Sequence, residues 1–433
     1  MKSLAEIADT LLGYDPDALA AQSVNTFLAG MVPLPTQTEA LALMQALGRV
    51  LAQDIISPID LPPHDNSAMD GYAFDGSALS ANKPLQLQIA GSALAGKPFS
   101  GQIGAGQCLH IMTGAILPPG LDTVVPQELV KVHKNCIEIA PGIVQPGDNR
   151  RLRGEDVHCG SVALTKGSVL GPAALGLLAS LGLPKATVFR KLRVAYFSTG
   201  DEILSLGDSP REGAVFDSNR YTVSGMLQCM GIECIDLGVV RDDPDLLESA
   251  FLQAAAQADA IVTSGGVSVG EADHTKAMMR QLAHSDTAGE GGVAFWRIAM
   301  RPGRPMAVGR IGRVPLFGLP GNPVAVMVTF LAFVRPALWQ MMGASPNDPQ
   351  VQCPMLQARS SEAIRKKPGR TEYQRAIVSR TADGALQVRI TGQQGSGVLS
   401  SMVQANGLMV LPHGQGNIAI GDTVEVMMFA GVL

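Results

Sequence analysis

The stretch from residue 191 to residue 342 constrains the fold of this chain more than any other. Short apolar runs such as VAYF (194–197), CIDLGVV (234–240) and AIVTS (260–264) alternate there with longer segments of helical periodicity. Strands that are apolar throughout are typical of a mainly parallel sheet whose two faces are both covered by helices. The sequence therefore predicts a doubly wound α/β domain over residues 191–342.

Two other regions show a different sequence pattern, in which short strands of alternating apolar and polar residues are separated by glycine and proline turns. Residues 65–149 contain LQLQIA, CLHIM and CIEIA, and residues 350–433 contain RAIVSR, LQVRI and TVEVMMF. This alternation predicts a β-rich module in the first region and a β-barrel in the second. Residues 1–64 and 150–190 are helical or irregular and flank the first module. We therefore expect that module to be inserted into a discontinuous, elongated N-terminal domain, which makes the whole chain a multidomain α/β protein.

Composition excludes several classes of protein. Acidic residues outnumber basic ones 38 to 33, which argues against a nucleic-acid-binding protein. The first residues lack a basic segment followed by an apolar one, so they do not resemble a secretory signal. The apolar run at 324–334 is too short to cross a bilayer. The six cysteines are scattered and match no common zinc pattern, so buried thiols are expected. The expected location is the cytoplasm, with no membrane partner.

Acidic residues follow three successive predicted strands. The first strand ends in STGDE, the second in RDDP and the third in SGGVSVGEAD. One acidic pair after a strand is usually a helix cap or a solvated turn, but the carboxyl ends of neighbouring parallel strands meet at one edge of a sheet, where ligands bind. We therefore expect a divalent cation, Mg²⁺, between these carboxylates and a phosphate-bearing ligand. The acids are Asp201, Glu202, Asp242, Asp243, Glu271 and Asp273.

Glycines and small polar residues occupy the same turns. Glycine lets backbone N–H groups approach a phosphate closely. Neither a Walker A lysine pattern nor a G-x-G-x-x-G pattern is present, so an ordinary ATPase or dinucleotide-binding protein is not expected. The candidate substrate-binding residues at these turns are Ser198, Thr199, Gly200, Ser264, Gly265, Gly266, Ser268 and Gly270.

A basic cluster, RIAMRPGRP, follows the glycine-rich region and supplies Arg297, Arg301 and Arg304. Prolines restrict the backbone between them, so the side chains emerge from a stiff segment. Such a cluster can be a solvated turn, but beside so many acids it favours a set of guanidinium groups for an oxyanion. The turn LPGNP then opens a helix, with Asn322 as candidate N-cap and Pro323 at the first position, so another helix N-terminus faces an anion.

Three further motifs lie outside the sheet domain. DNSAMDGYA (65–73) and HIMTGA (110–115) are each more often structural turns than sites. NRRLRGED (149–156) mixes three arginines with two acids, which normally indicates a solvated face or a set of interface salt bridges.

Together these motifs resemble the MoeA family of molybdopterin molybdenumtransferases, to which the gephyrin E domain is related. DNSAMDGYA, IMTGA, RRLRGEDV, STGDE, FDSNR, RDDP, SGGVSVGEADHTK, RPGRP and LPGNP occur in the family's order, over nearly the whole chain. The resemblance implies that adenylylated molybdopterin and molybdate react in an Mg²⁺-dependent way to give molybdenum cofactor and AMP. It also implies a sheet domain like that of the adenylyltransferase that delivers the substrate.

The resemblance also implies roles for individual residues and an oligomeric state. It implies that Glu202, Asp242 and Asp273 are functional acids and metal ligands, and that Pro320 and Pro323 form the molybdate-side turn. It implies an elongated homodimer in which Asp70, Thr113 and Asp156 belong to a shared catalytic cleft. The chain departs from some bacterial members in having Arg297, Arg301 and Arg304 in place of lysines, so each point charge becomes a planar fork.

Two alternatives stay open from the sequence. The sheet domain alone fits an adenylyltransferase that attaches AMP to molybdopterin, although the extra β-modules favour the metal-inserting step. A scaffold like gephyrin is the other alternative, but a scaffold needs none of the acidic strand ends. The sequence does not distinguish molybdate from tungstate.

Overall fold

The computed structural model describes residues 3–11, 15, 19–266 and 292–432. The chain divides into two compact units. The sequence also predicts a helix around 274–282 and a solvated loop over 284–292, and both lie outside the described residues except for Gly292, which begins a strand. The finer domain boundaries given above stay a prediction. Unit 1 comprises Met1–Ala52, Lys166–Gly171 and Ala186–Leu433, and unit 2 comprises Gln53–Thr165 and Pro172–Lys185.

Unit 1 contains the predicted α/β sheet, here a six-stranded one. Its strands are β1 (Arg193–Thr199), β2 (Glu233–Val240), β3 (Ala260–Ser264), β4 (Gly292–Arg297), β5 (Pro305–Ile311) and β6 (Val314–Leu319). In spatial order the strands run β2, β1, β3, β6, β5, β4, and the first four are mutually parallel, whereas β5 and β4 are antiparallel to their neighbours. The prediction of a mainly parallel sheet is confirmed.

Helices cover both faces of this sheet, which is what its apolar strands require. Along β1, Val194 and Tyr196 belong to one core, whereas Ala195 and Phe197 belong to another. The first core contains residues of helix α1 (Ser218–Cys229), and the second contains those of helix α2 (Pro244–Gln257). The sheet is therefore doubly wound, as the alternation of strands and helices predicted.

One helix of the described chain is long and apolar enough to cross a membrane, and it packs in the first of these cores. It runs from Pro323 to Met341, as Pro323–Thr329, a π-helical turn Phe330–Val334, and Arg335–Met341. An 18-residue window of this 19-residue helix has a mean hydropathy of 1.6, but 83% of that window is buried inside the protein. A core helix satisfies the same criteria. Arg335 interrupts the apolar run and donates to the carbonyl oxygen of Val351 at 2.6 Å.

The C-terminal part of unit 1 is a closed five-stranded barrel, as predicted. Closure comes from the pairing of Thr371–Arg380 with Gly407–Leu411. The two-residue strand Met300–Arg301 pairs in parallel with the start of Thr371–Arg380, so the RPGRP segment lies along the barrel. The five barrel strands are Met355–Ser360, Thr371–Arg380, Leu386–Ile390, Gly407–Leu411 and Thr423–Met428, with the helix Ser400–Gln404 between two of them.

Unit 2 contains the other predicted β-rich module, as a second six-stranded sheet. Its strands are Gly71–Phe74, Leu85–Ala93, Gln107–Ile111, Thr123–Pro126, Val130–His133 and Cys136–Ile139. The remaining elements within the described residues of both units are the helices Leu4–Ala8, Ala21–Met31 and Pro172–Ser180 and the strands Thr38–Ala42, Ile55–Ile56, Asn66–Ser67, Arg150–Arg151, Val162–Leu164, Lys185–Phe189, Ile203–Leu204 and Val215–Phe216. Short 3-10 turns cover Leu43–Gln45, Gly76–Ala78 and Gln127–Leu129.

Candidate functional site

A cavity of about 660 Å³ opens in unit 1 at the carboxyl ends of the parallel strands. Four turns of the sheet domain and two segments of the barrel form its walls. Seven of the site residues predicted from the sequence line it. The residues that line it are Glu202 after β1, Gly265 and Gly266 after β3, Met300–Pro305, Pro320, Gly321, Asn322, Ala325, and Arg370, Gln394, Gly395 and Ser396 from the barrel.

The turn after β3 packs tightly against the end of β1. Gly265 has φ of +87° and donates its N–H to the carbonyl oxygen of Leu319 at 3.2 Å. A Cβ atom at this position would lie 2.4 Å from the carbonyl oxygen of Thr199, which is far too close. Both the positive φ and the close approach therefore require glycine. The approach of this turn to a phosphate stays a prediction.

A buried group of hydroxyls ties the ends of β1 and β3 together. The hydroxyl of Tyr196 lies 2.8 Å from Ser198 Oγ and 2.7 Å from Ser264 Oγ. All three residues are buried, and burial raises the pKa of Tyr196, so its proton stays in place near neutral pH. The structure thus places Ser198 and Ser264 inside the sheet, where they hold the strand ends in register. Thr199 and Gly200 are also buried at the end of β1.

The acids at the strand ends separate into different environments. Glu202 is exposed and lines the cavity. The Asp242 N–H lies 3.4 Å from Asp201 Oδ1, which brings the ends of β1 and β2 together. Asp243 caps helix α2, accepting from the N–H groups of Asp245 and Leu246. Asp243 therefore has the ordinary capping role, whereas Glu202 lines the cavity.

Three candidates, Ser268, Gly270 and Asp273, lie outside the described residues. Within 3–11, 15, 19–266 and 292–432, no cluster of three or more histidine, cysteine, aspartate or glutamate side chains arranged for a metal ion is found. A metal site in this chain would therefore need a carboxylate from the undescribed segment or oxygen atoms from the substrate and water.

The arginine cluster divides into two kinds of position. Arg301 and Arg304 are exposed side chains on the cavity wall. Arg297 ends β4 and is also exposed, but the described lining of the cavity does not include it. The structure therefore brings two of the three predicted arginines to the cavity.

The turn LPGNP is held from two sides. Asn219 of helix α1 donates through Nδ2 to the carbonyl oxygen of Gly321 at 2.8 Å, and the Val324 N–H donates to the carbonyl oxygen of Ser396 at 3.1 Å. Pro320 and Asn322 line the cavity, and Pro323 begins the long buried helix. One N–H of this helix start is thus already used by the barrel loop, so the turn contributes mainly by position.

The sequence reasoning missed the barrel's contribution. Arg370 lines the cavity and pairs through Nε with Glu372 Oε1 at 2.8 Å, and Glu372 is buried. Residues 394–396 also line the cavity. The only signal in the sequence was the run TGQQGSG, which has the composition of any surface turn.

The motifs of unit 2 form a separate cluster of contacts. Asp70 Oδ1 accepts two hydrogen bonds of 2.7 Å from Thr113, one from its N–H and one from its hydroxyl. These bonds, the backbone one first, lower the pKa of Asp70, so the carboxylate stays ionised. The structure thus brings the motifs DNSAMDGYA and HIMTGA into contact. From the sequence, only the family resemblance had placed Asp70 and Thr113 in one site.

The charge run NRRLRGED forms salt bridges within unit 2. Arg153 Nε lies 2.5 Å from Asp60 Oδ2, and Arg150 Nη2 lies 3.2 Å from Asp65 Oδ2. The ordinary interpretation of such a charge run, a set of salt bridges, therefore fits these residues. Asp156 itself is exposed, and its N–H donates to the carbonyl oxygen of Leu61 at 3.0 Å.

Comparison with known families gives three matches along the chain. Residues 18–182 match the MoeA N-terminal region (domain I and II), residues 195–340 match a probable molybdopterin binding domain, and residues 357–429 match the MoeA C-terminal region (domain IV). The second match contains every sheet-domain turn of the cavity, and the third contains the barrel residues on its wall.

Individual proteins are similar over nearly the full length. The molybdopterin molybdenumtransferase of Haemophilus influenzae is 40% identical over 415 residues, covering 96% of this chain and 100% of that protein. The protein of the same name from Nostoc sp. is 34% identical, covering 96% and 94%. The crystal structure of the molybdopterin biosynthesis moeA protein from Pyrococcus horikoshii superposes with a TM-score of 0.78 at 27% identity, covering 95% of this chain and 100% of that one.

Proposed function

Because the chain belongs to the MoeA family of molybdopterin molybdenumtransferases, and is therefore a transferase of molybdenum cofactor biosynthesis, we propose that it inserts molybdenum from molybdate into adenylylated molybdopterin and releases AMP. The reaction is proposed to need Mg²⁺ and to take place in the cytoplasm. The adenylylated substrate would come from an enzyme that attaches AMP to molybdopterin. This step requires one site that accepts two anions, a phosphoanhydride and a metal oxyanion, in contact.

The observation that carries the proposal is the composition of the cavity wall. The cavity that is lined by the carboxylate of Glu202 is also lined by Arg301, Arg304 and Arg370. Molybdate is a dianion without a covalent handle, so its capture needs positive charge and N–H donors that are already in place. A volume of about 660 Å³ is also in the range of small-molecule sites.

The chemistry of the donor set fits Mg²⁺. This ion prefers carboxylate oxygens and usually keeps several waters, and Glu202 together with Asp242 offers carboxylates at adjoining strand ends. Asp273 is proposed as the third acid from its place in the sequence. When bound, the ion would offset negative charge on the phosphate oxygens of the substrate. Glu202 would hold the ion against the phosphoanhydride, and the glycine turn after β3 would let the phosphate oxygens approach the backbone.

One assay tests the proposed reaction. Purified protein incubated with adenylylated molybdopterin is expected to release AMP only when molybdate is present. ATP consumption with molybdopterin and no molybdate would instead identify an adenylyltransferase, and neither activity would favour a scaffold. Tungstate in place of molybdate measures the choice of oxyanion in the same assay.

We expect the carboxylates to control the Mg²⁺ requirement. Glu202→Gln, Asp242→Asn and Asp273→Asn each remove a charge but little volume, so the fold should persist while turnover at limiting Mg²⁺ falls by about a hundredfold or more. Raising Mg²⁺ should recover part of the activity, because an amide oxygen is a weaker ligand.

Asp243→Asn is the matched control for these variants. It removes a charge at the position next to Asp242, and asparagine caps a helix as well as aspartate does. Its turnover and Mg²⁺ dependence should stay within about twofold of the parent, a small difference in free energy. Equal Mg²⁺ dependence in Asp242→Asn and Asp243→Asn would contradict the assignment of Asp242.

We also propose a homodimer with a two-fold, isologous interface. The apolar segments LAEIADTLL and LGPAALGLLASLGL motivate this proposal, together with the family. Asp70, Thr113 and Asp156 are proposed to act in catalysis only within that dimer. Sedimentation at micromolar concentration should show twice the mass of one chain, and an active monomer at that concentration would contradict the proposal.

A further inference from the structure

A buried arginine stands behind the barrel wall of the cavity. Arg375 lies in the strand Thr371–Arg380 and is only 1% exposed. Its Nη2 donates to the carbonyl oxygens of Gln393 at 3.1 Å and Gly395 at 2.9 Å, and its Nη1 donates to that of Gln394 at 3.3 Å. Its Nε donates to Ser401 Oγ at 2.9 Å. One guanidinium therefore binds three successive carbonyl groups of the cavity loop.

This contact sets the direction of the loop's N–H groups. In a trans peptide the N–H points away from the C=O of the same peptide unit. Because the carbonyls of residues 393–395 point at Arg375, the N–H groups of Gln394, Gly395 and Ser396 point away from it. Those three residues line the cavity, and none of their N–H groups donates to another group in the part of the chain that the structure describes. Backbone N–H groups on a cavity wall that have no acceptor in the described part of the chain can donate to an oxyanion in that cavity.

Other bonds fix the loop at both edges. The Arg375 N–H donates to Gln394 Oε1 at 2.9 Å, and Gln394 Nε2 donates back to the Arg375 carbonyl oxygen at 3.2 Å. At the far edge the Ser396 carbonyl oxygen accepts from Val324 at the start of the long helix. The sequence QGSG would otherwise be free to adopt many conformations. The hydrogen bonds of the Arg375 guanidinium therefore fix the conformation of a loop whose sequence alone would leave it flexible.

The hydrogen bonds of Arg375 leave its charge unneutralised. All four of these acceptors are carbonyl or hydroxyl oxygens, and the nearby carboxylate of Glu372 bonds Arg370 and Gln374 instead. Burial, and secondly the charge of Arg301, lowers the pKa of Arg375 to about 10, so it remains a cation at neutral pH. An oxyanion bound between Arg301 and the loop would relieve the repulsion between these two arginines.

We propose that Arg375 is a positioning residue, which holds the 393–396 loop so that its N–H groups receive the oxyanion substrate. Arg375 itself does not touch the substrate. The inference rests on the proposed function for the identity of the anion, molybdate. The arrangement of the loop is independent of that identity.

Arg375→Lys in the full chain tests the proposal, because lysine keeps the charge but does not form the planar fork that reaches three carbonyls. We expect the molybdate concentration for half-maximal AMP release to rise by about tenfold or more, the effect of losing one or more charge-assisted contacts. The maximal rate and the half-saturating concentration of the pterin should change by less than about threefold. Arg380→Lys is the matched control, since Arg380 lies on the same strand and donates to a single carbonyl, that of Gly384.

Two measurements separate this inference from the proposed function. Equilibrium dialysis with molybdate alone measures oxyanion binding without turnover, and hydrogen exchange over residues 391–400 measures the order of the loop without any ligand. Faster exchange and weaker molybdate binding in Arg375→Lys, with Arg380→Lys like the parent, support the proposal even if no AMP release is found. Parent-like exchange and molybdate affinity in folded Arg375→Lys overturn it. If that variant does not fold, Ser401→Ala is used instead, because it removes one hydrogen-bond acceptor of Arg375. A smaller change in the same direction then supports the proposal, and no change overturns it.

Discussion

Replacing Arg301 or Arg304 with alanine is expected to raise the molybdate concentration for half-maximal AMP release by about ten- to a hundredfold. Both side chains stand on the cavity wall, where a dianion has to be bound without help from the acids. Losing one charge-assisted hydrogen bond costs about 1.5–3 kcal/mol, which corresponds to that factor. A molybdate titration of AMP release at saturating pterin measures it.

Arg297→Ala is the matched control, because it removes the same charge from a residue at the end of β4 that the described cavity lining does not include. Its molybdate dependence should change by less than about threefold. If all three variants shift the titration equally, the effect belongs to the overall charge of the segment. If none does, the arginines form a solvated turn.

The second large effect is expected from Gly265→Ala. A Cβ atom there would lie 2.4 Å from the carbonyl oxygen of Thr199, at a φ of +87°. The end of β1 and the turn after β3 must then separate, so we expect both AMP release to be lost and the free energy of unfolding to fall by more than about 2 kcal/mol. Urea denaturation and the AMP assay measure the two effects.

Gly312→Ala isolates the contribution of backbone strain. Gly312 has φ of +57°, but a Cβ atom there would meet nothing within 4 Å. This variant should lose about 1–2 kcal/mol of stability and keep its activity. A Gly265→Ala variant that is no less stable than Gly312→Ala would show that the close approach to Thr199 is not a constraint.

Local patterns were sufficient to predict the sheet and its edge. The apolar runs of β1 and β3 are buried on both faces, as expected of central strands in a covered parallel sheet, whereas β2, at the edge of the sheet, is only partly buried. Parallel strands deliver their carboxyl ends to one edge, so the grouping of Glu202 with Gly265 followed from topology. The prolines of RPGRP and LPGNP likewise predicted stiff turns from a single property of the residue.

The barrel wall of the site could not be predicted in this way. This wall consists of Arg370 and residues 394–396, which lie between strands of the barrel and far along the chain from the turns of the sheet domain. Nothing in their local sequence distinguishes them from a solvated turn. Their place depends on the closure of the barrel and on the pairing of Met300–Arg301 with Thr371–Arg380. The separation of Arg297 from Arg301 and Arg304 has a similar origin, because it depends on where β4 ends.

The sequence by itself determined the doubly wound sheet, the acidic strand ends and the family, since each depends on residues close together in the chain. Only the tertiary structure decided which polar groups face the cavity. It buried Ser198 and Ser264 against Tyr196, assigned Asp243 to a helix cap, and placed Arg375 behind the 393–396 loop. The physical reason is that burial and hydrogen bonding between distant segments, rather than residue type, decide whether a polar group is left to bind a ligand.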